Sequence, residues 1–135
     1  MTSGFHVRKL LLGCDSARVK SIKIVVHASS PLICSALHSG RVEFRPLEKN
    51  LKDSEQTGER GLIRRKVSSE PLRTLIVANE SVFVAGDDGF VYICNLNQAN
   101  LQSDDSWQSV DIATSHNGVR SLVAHPMKKG FFASC

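Results

Sequence analysis

An all-β fold built from repeated four-stranded units is what this 135-residue sequence predicts, on three observations. The first is a strand–turn–strand pattern in Val82-Phe83-Val84-Ala85-Gly86-Asp87-Asp88-Gly89-Phe90-Val91-Tyr92-Ile93, where two apolar runs flank a pair of carboxylates bracketed by glycines. The later run is rich in strand formers. Asp-Gly between two such runs is a strong hairpin signal, because both turn residues tolerate positive φ. The second observation is an upstream copy, Leu32-Ile33-Cys34-Ser35-Ala36-Leu37-His38-Ser39-Gly40-Arg41-Val42-Glu43-Phe44. It has an apolar run, a polar pair, a glycine and then an alternating strand in which Val42 and Phe44 share one face. Setting Gly40 against Gly89 places His38 opposite Asp87 and Ser39 opposite Asp88. The third observation is spacing. Val19-Lys20, Leu72-Arg73 and Val119-Arg120 each pair an apolar residue with a cation, and the cations stand 53 and 47 residues apart. That is the period of four-stranded propeller blades, each repeat being one supersecondary unit. The predicted fold is a partial β-propeller of about two and a half blades.

Taken in order, the first blade occupies about residues 16–50, followed by a polar loop at 50–66. The second occupies about 68–100 and closes through a loop at 97–106. A third begins near 107 and runs to 135. The cation-to-glycine distance is 20 residues in the first repeat and 16 in the second. The third glycine would then fall beyond Cys135, so the sequence reads as the N-terminal portion of a longer protein or a truncated product.

Composition narrows the function classes. With 41% hydrophobic residues the chain can form a core, and no apolar run approaches the roughly 18 to 20 residues that span a bilayer. Arg8-Lys9 followed by Leu10-Leu11-Leu12 has the order of a signal peptide, but the apolar part is too short. The chain reads as soluble and intracellular. Cys14, Cys34, Cys94 and Cys135 show no C-x-x-C pair or zinc spacing, and Cys34 and Cys94 lie in apolar runs, which predicts buried, reduced thiols. The net charge of +4 is modest, and Arg60 to Lys66 reads as a solvated basic loop rather than a nucleic-acid stripe.

The succession A-R-V-K-S-I, H-A-S-S-P, A-L-H-S-G-R-V-E-F, then E-P-L-R-T-L-I-V-A through V-F-V-A-G-D-D-G, resembles the WD-repeat propellers that open the alpha and beta-prime subunits of coatomer. The beta-prime branch is the nearer, because the second blade lacks a His-Pro after its first strand. The leader V-R-K-L and the later V-R-S-L-V-A-H-P-M-K point the same way. The resemblance covers most of the chain outside the loops at 50–66 and 97–106. Two departures stand out. Six residues separate Lys20 from His27 where the family usually has four, an even difference that preserves strand alternation. Arg45-Pro46 and Cys94-Asn95 replace the Trp-Asn or Trp-Asp dipeptide that ends a WD repeat.

The resemblance implies where the cations lie. In a WD-repeat propeller the innermost strand starts at the face from which the next turn also emerges. Lys20, Arg73 and Arg120 would open three innermost strands on one face, Arg18 would point the same way by alternation, and His38 and Asp87 would sit in turns on that face. Clustered cations with a carboxylate suit a ligand bearing both charges. The family activity is recognition of C-terminal dilysine signals on the cytosolic tails of membrane cargo, in retrieval from Golgi to endoplasmic reticulum. The implied partners are those tails and the other coatomer subunits. The implied location is the cytoplasm, peripheral on Golgi membranes and coated vesicles. By the resemblance Arg18, Lys20 and Arg73 bind the peptide carboxylate, and His38 and Asp87 contact the peptide. The entry to the third blade, His116-Asn117-Gly118, lacks the Asp that beta-prime uses for lysine. The rival reading is a generic WD-repeat scaffold in another complex.

Catalysis is not expected, and neither is a cofactor, a metal or a nucleic acid. Adjacent Asp87 and Asp88 alternate in direction, a poor start for a carboxylate dyad. D-D-G is not a calcium loop, and no nucleophile elbow, phosphate loop or His cluster is present. His27 and His125-Pro126 read as structural turn residues.

Overall fold

The computed structural model describes residues 17–47, 61–112, 118–126 and 131–134. Among these residues the chain is all-β apart from one 3-10 turn, Asp104–Ser106. The first sheet is a four-stranded antiparallel meander of β1 (Val19–His27), β2 (Ser30–Leu37), β3 (Arg41–Pro46) and β4 (Ile63–Lys66). The second repeats it with β5 (Leu72–Ala78), β6 (Ser81–Gly86), β7 (Phe90–Asn95) and β8 (Trp107–Asp111). A third, two-stranded sheet pairs β9 (Ser121–Ala124) with β10 (Phe131–Ser134).

Both sheet boundaries differ from the sequence expectation at the outer strand. The end of the expected first loop, Ile63–Lys66, is β4, and the residues expected to open a third unit, Trp107–Asp111, are β8 of the second sheet. The physical reason is the edge position. An outer strand is paired on one side only and tolerates charge, so Arg64-Arg65-Lys66 reads as loop although Ile63 lies opposite Phe44 and Arg64 opposite Glu43. The loop at 97–106 is present as turns and the 3-10 segment. Residues 48–60 of the first expected loop, and Cys14 and Cys135, lie outside the described residues.

The hairpins also divide differently. The two-residue turns are Ala28-Ser29 and Asn79-Glu80, with φ of 50° and 66° and of 51° and 62°. Positive φ at both central positions is the type I′ geometry that matches strand twist, reached here without glycine. The Asp87-Asp88-Gly89 connection, expected as a two-residue Asp-Gly turn, spans three residues with only Gly89 at positive φ. Asp88 keeps negative φ, and its Oδ1 accepts from Phe90 N–H at 3.0 Å. β1 and β2 have nine and eight residues against seven and six in β5 and β6. The two extra residues before His27 therefore form added rungs, Val26 with Pro31 and His27 with Ser30, and alternation is kept.

The core sits between sheets. Alternate residues of β2 and β3 (Leu32, Cys34, Ala36, Val42, Phe44) pack against Leu72, Leu75, Val82, Val84 and Cys94 of the second sheet. The other face of β6 and β7, with Phe83, Ala85 and Val91, packs against Val119 and Leu122. β6 is therefore buried on both faces, as a strand between stacked sheets must be. The face of β1 turned away from the second sheet leaves Ile22, Ile24 and Val26 exposed. At the end of β7, Trp107 lies directly opposite Cys94 and its ring tilts against Phe44 at 6.5 Å. Two side chains of the first sheet reach the second at its rim: Arg65 donates to Gln102 O at 2.6 Å and to Asp104 at 2.7 Å, and His27 Nε2 lies 2.8 Å from Gln98 O. His27, read as a turn residue, is the last residue of β1, paired with Ser30 beside the turn.

Cys34 and Cys94 are free, fully buried thiols in this interface. Burial first, then the neighbouring Cys94, pushes the Cys34 thiol far up, and burial pushes Cys94 up to about 12. Neither supplies thiolate near neutrality. Iodoacetamide at pH 8 followed by peptide mapping should leave both unmodified in the folded protein and label both in urea; modification of either under native conditions would contradict the packing.

Candidate binding face

Two β-bulges place the predicted cations. Register skips between Val19 and Ser21 opposite Leu37 and Ala36, and again between Leu72 and Thr74 opposite Gly86 and Ala85. Lys20 and Arg73 are the extra residues. A bulge bends its strand and re-aims one side chain, so one backbone device is used at equivalent points of successive sheets. Arg120 immediately precedes β9, the third strand of this kind. The strands are neighbours, β1 against β5 and β5 against β9.

The turns return to the same end. His38 N–H donates to Arg18 O at 2.8 Å, and Asp87 N–H donates to Pro71 O at 3.0 Å. The next segment then closes over each turn. Gly40 O accepts from Val67 and Ser68 N–H at 3.0 and 3.2 Å, and Gly86 O accepts from Val119 N–H at 2.8 Å. Gly40 and Gly89 are equivalent: both have φ of +80° to +87°, Leu37 O and Gly86 O accept from their respective N–H groups, and Ile112 N–H donates to Gly89 O at 3.1 Å as Val67 N–H does to Gly40 O.

Arg73 and Asp87 form a two-point ion pair. Nε donates to Oδ1 at 2.8 Å and Nη2 to Oδ2 at 2.9 Å, with about a third of each side chain exposed (35% and 31%). The Arg73 hydrogen bonds hold the Asp87 carboxyl below the usual carboxylate range; partial burial opposes this, and the charges of Arg73, Arg120 and His38 add to it. The same contact raises the Arg73 guanidinium. Asp87 is thus in contact with Arg73 and within the electrostatic reach of Arg120 and His38. Arg18 and Lys20 stand at the start of the adjacent sheet, and among the described residues their side chains and that of Arg120 make no hydrogen bond.

Asp88 goes elsewhere. Its carboxylate accepts from Ser68 Oγ at 2.9 Å and from Tyr92 OH, in addition to Phe90 N–H. Burial and the Asp88 contact raise the Tyr92 phenol well above its ordinary value. The two adjacent carboxylates therefore diverge, one to the cation face and one to a staple between the link and the turn. Ser68 and Tyr92 carried no sequence signal, because their partnership depends on the path of the link. A recess of about 220 Å³ lies along the outer strands β4 and β8, lined among others by Arg65, Lys66, Tyr92, Asp104 and Trp107. Among the described residues no group of three or more His, Cys, Asp or Glu is placed to hold a metal ion.

Comparison with protein-family models, curated proteins and solved structures finds no match to the chain.

Proposed function

We propose that the protein is a binding module of the β-propeller class rather than an enzyme, with its ligand face at the bulged ends of β1 and β5. Within that class we read it as the WD-repeat propeller portion of a coatomer-type vesicle-coat subunit, nearer beta-prime, that binds C-terminal dilysine signals of membrane cargo. On this reading it works in the cytoplasm, peripheral on Golgi membranes, with other coat subunits as partners. The observation that carries it is the repetition of one bulge, with Lys20 and Arg73 as its extra residues, beside turns bearing His38 and Asp87. The exposed Ile22 adds support, because its counterpart on β5, Leu75, is packed on the first sheet and a ring would cover both. The carboxylate end of the peptide would meet Arg18, Lys20 and Arg73, and its ammonium would meet Asp87.

The scaffold reading draws on a specific observation too. Arg73 and Asp87 satisfy one another, which is also what a purely structural pair would do. Calorimetric titration with a peptide ending Lys-Lys-Ala-Ala separates the two. Arg73→Glu should weaken binding at least about 30-fold, the usual consequence of removing one partner of a hydrogen-bonded charge contact. Undiminished binding by that variant would retire the dilysine reading in favour of the scaffold.

A further inference from the structure

We infer that the Arg73–Asp87 pair is a selectivity element: it opens its guanidinium to a ligand that carries both a carboxylate and an ammonium group, and withholds it from a carboxylate alone. This deepens the proposed reading of the cation face and rests on it.

The two planar groups are consumed by each other, with Nε and Nη2 on the two Asp87 oxygens at 2.8 and 2.9 Å. A ligand carboxylate seeking the same edge of Arg73 must displace Asp87, and the displaced carboxylate then stands beside the incoming one. Like charges in contact oppose each other. A ligand ammonium relieves that opposition by taking the place of Arg73 at Asp87. Lys20 offers a lone anion a point charge, and Arg18 and Arg120 their guanidinium groups, without this condition. Among the described cations of this face, Arg73 is the one hydrogen-bonded to a carboxylate, and its fork is the two-point geometry the face holds closed.

The exchange is accessible because both partners are about one-third exposed. Exposed pairs hold by a factor of only about 1.4 to 5, strong enough to discriminate and weak enough to open. Arg120 adds a positive charge that favours the Asp87 carboxylate alongside Arg73.

The test titrates the full chain with hexanoate and with 6-aminohexanoate, following the Nε–H signals of isotope-labelled arginine by NMR. The unaltered protein should bind 6-aminohexanoate about 5-fold more tightly than hexanoate. Asp87→Asn should tighten hexanoate about 3- to 5-fold and erase the preference. Asp87→Ser, which removes the carboxylate with a smaller group, should do the same. If Asp87 merely positions Arg73, both variants weaken hexanoate, and the inference falls. It falls equally if the unaltered protein fails to distinguish the two probes. Failure of the dilysine reading looks different: the Lys-Lys-Ala-Ala peptide does not bind, while the preference for 6-aminohexanoate and its loss in Asp87→Asn persist.

Discussion

Gly40→Ala should destabilise the protein by about 3–4 kcal/mol, from two additive causes. Gly40 has φ of +87°, a left-handed conformation that costs an L residue with a Cβ about 1–2 kcal/mol. The added methyl would stand 2.0 Å from Ser68 O, which is backbone and cannot rotate away. The 67–70 link must therefore lift, weakening the hydrogen bonds from Val67 and Ser68 N–H to Gly40 O, each worth about 1 kcal/mol. Gly86→Ala isolates the steric part, since Gly86 lacks positive φ yet its Cβ would meet Pro71 O at 2.1 Å. Urea unfolding followed by the fluorescence of Trp107, the one tryptophan of the sequence, reads both variants. A shift in midpoint equivalent to less than about 1 kcal/mol for Gly40→Ala would mean the link does not press on the turn as described.

Phe44→Ala should cost a similar amount, about 3–5 kcal/mol, by a different route. Phe44 is fully buried between the first two sheets, with Trp107 on one side. Truncation removes the transfer energy of the ring and leaves a cavity whose walls are strands pinned by ladders on both sides. The walls cannot collapse far, so the upper part of the range applies. Phe44→Leu, which keeps most of the volume, should recover more than half of the loss. The same unfolding experiment decides it. A truncation cost no larger than that of a surface substitution would show that the two sheets do not share this core.

Much of the fold was legible because it rests on short-range signals. The apolar alternation of Val42 and Phe44 and the equivalent glycines at 40 and 89 fixed the central hairpins and the pairing of His38 with Asp87 in position. The outer strands were not legible. Arg64-Arg65-Lys66 on β4 and Gln108-Ser109 on β8 present edge-strand chemistry, which looks like loop when its partner strand is unknown. The type I′ turns escaped for the opposite reason: Ala28-Ser29 and Asn79-Glu80 adopt positive φ without the residues that usually announce it. At the cation face, the sequence indicated which residues converge but not how they are spent. A bulge is a register event between two strands, visible only once both are paired. The mutual commitment of Arg73 and Asp87 follows from that bulge, and it changes the site from a set of free charges to one with a guarded guanidinium.

The links that cross the turns also give the face a direction in time. Each turn is clasped by residues some thirty positions later: Gly40 by Val67 and Ser68, Gly86 and Asp87 by Gly118 and Val119. A nascent chain that has emerged only as far as β8 owns the whole second sheet, yet the N–H that anchors Gly86 is still inside the ribosome. His38 is thus set before Asp87, and the turns of this face are completed from the first sheet toward the third in the order of synthesis.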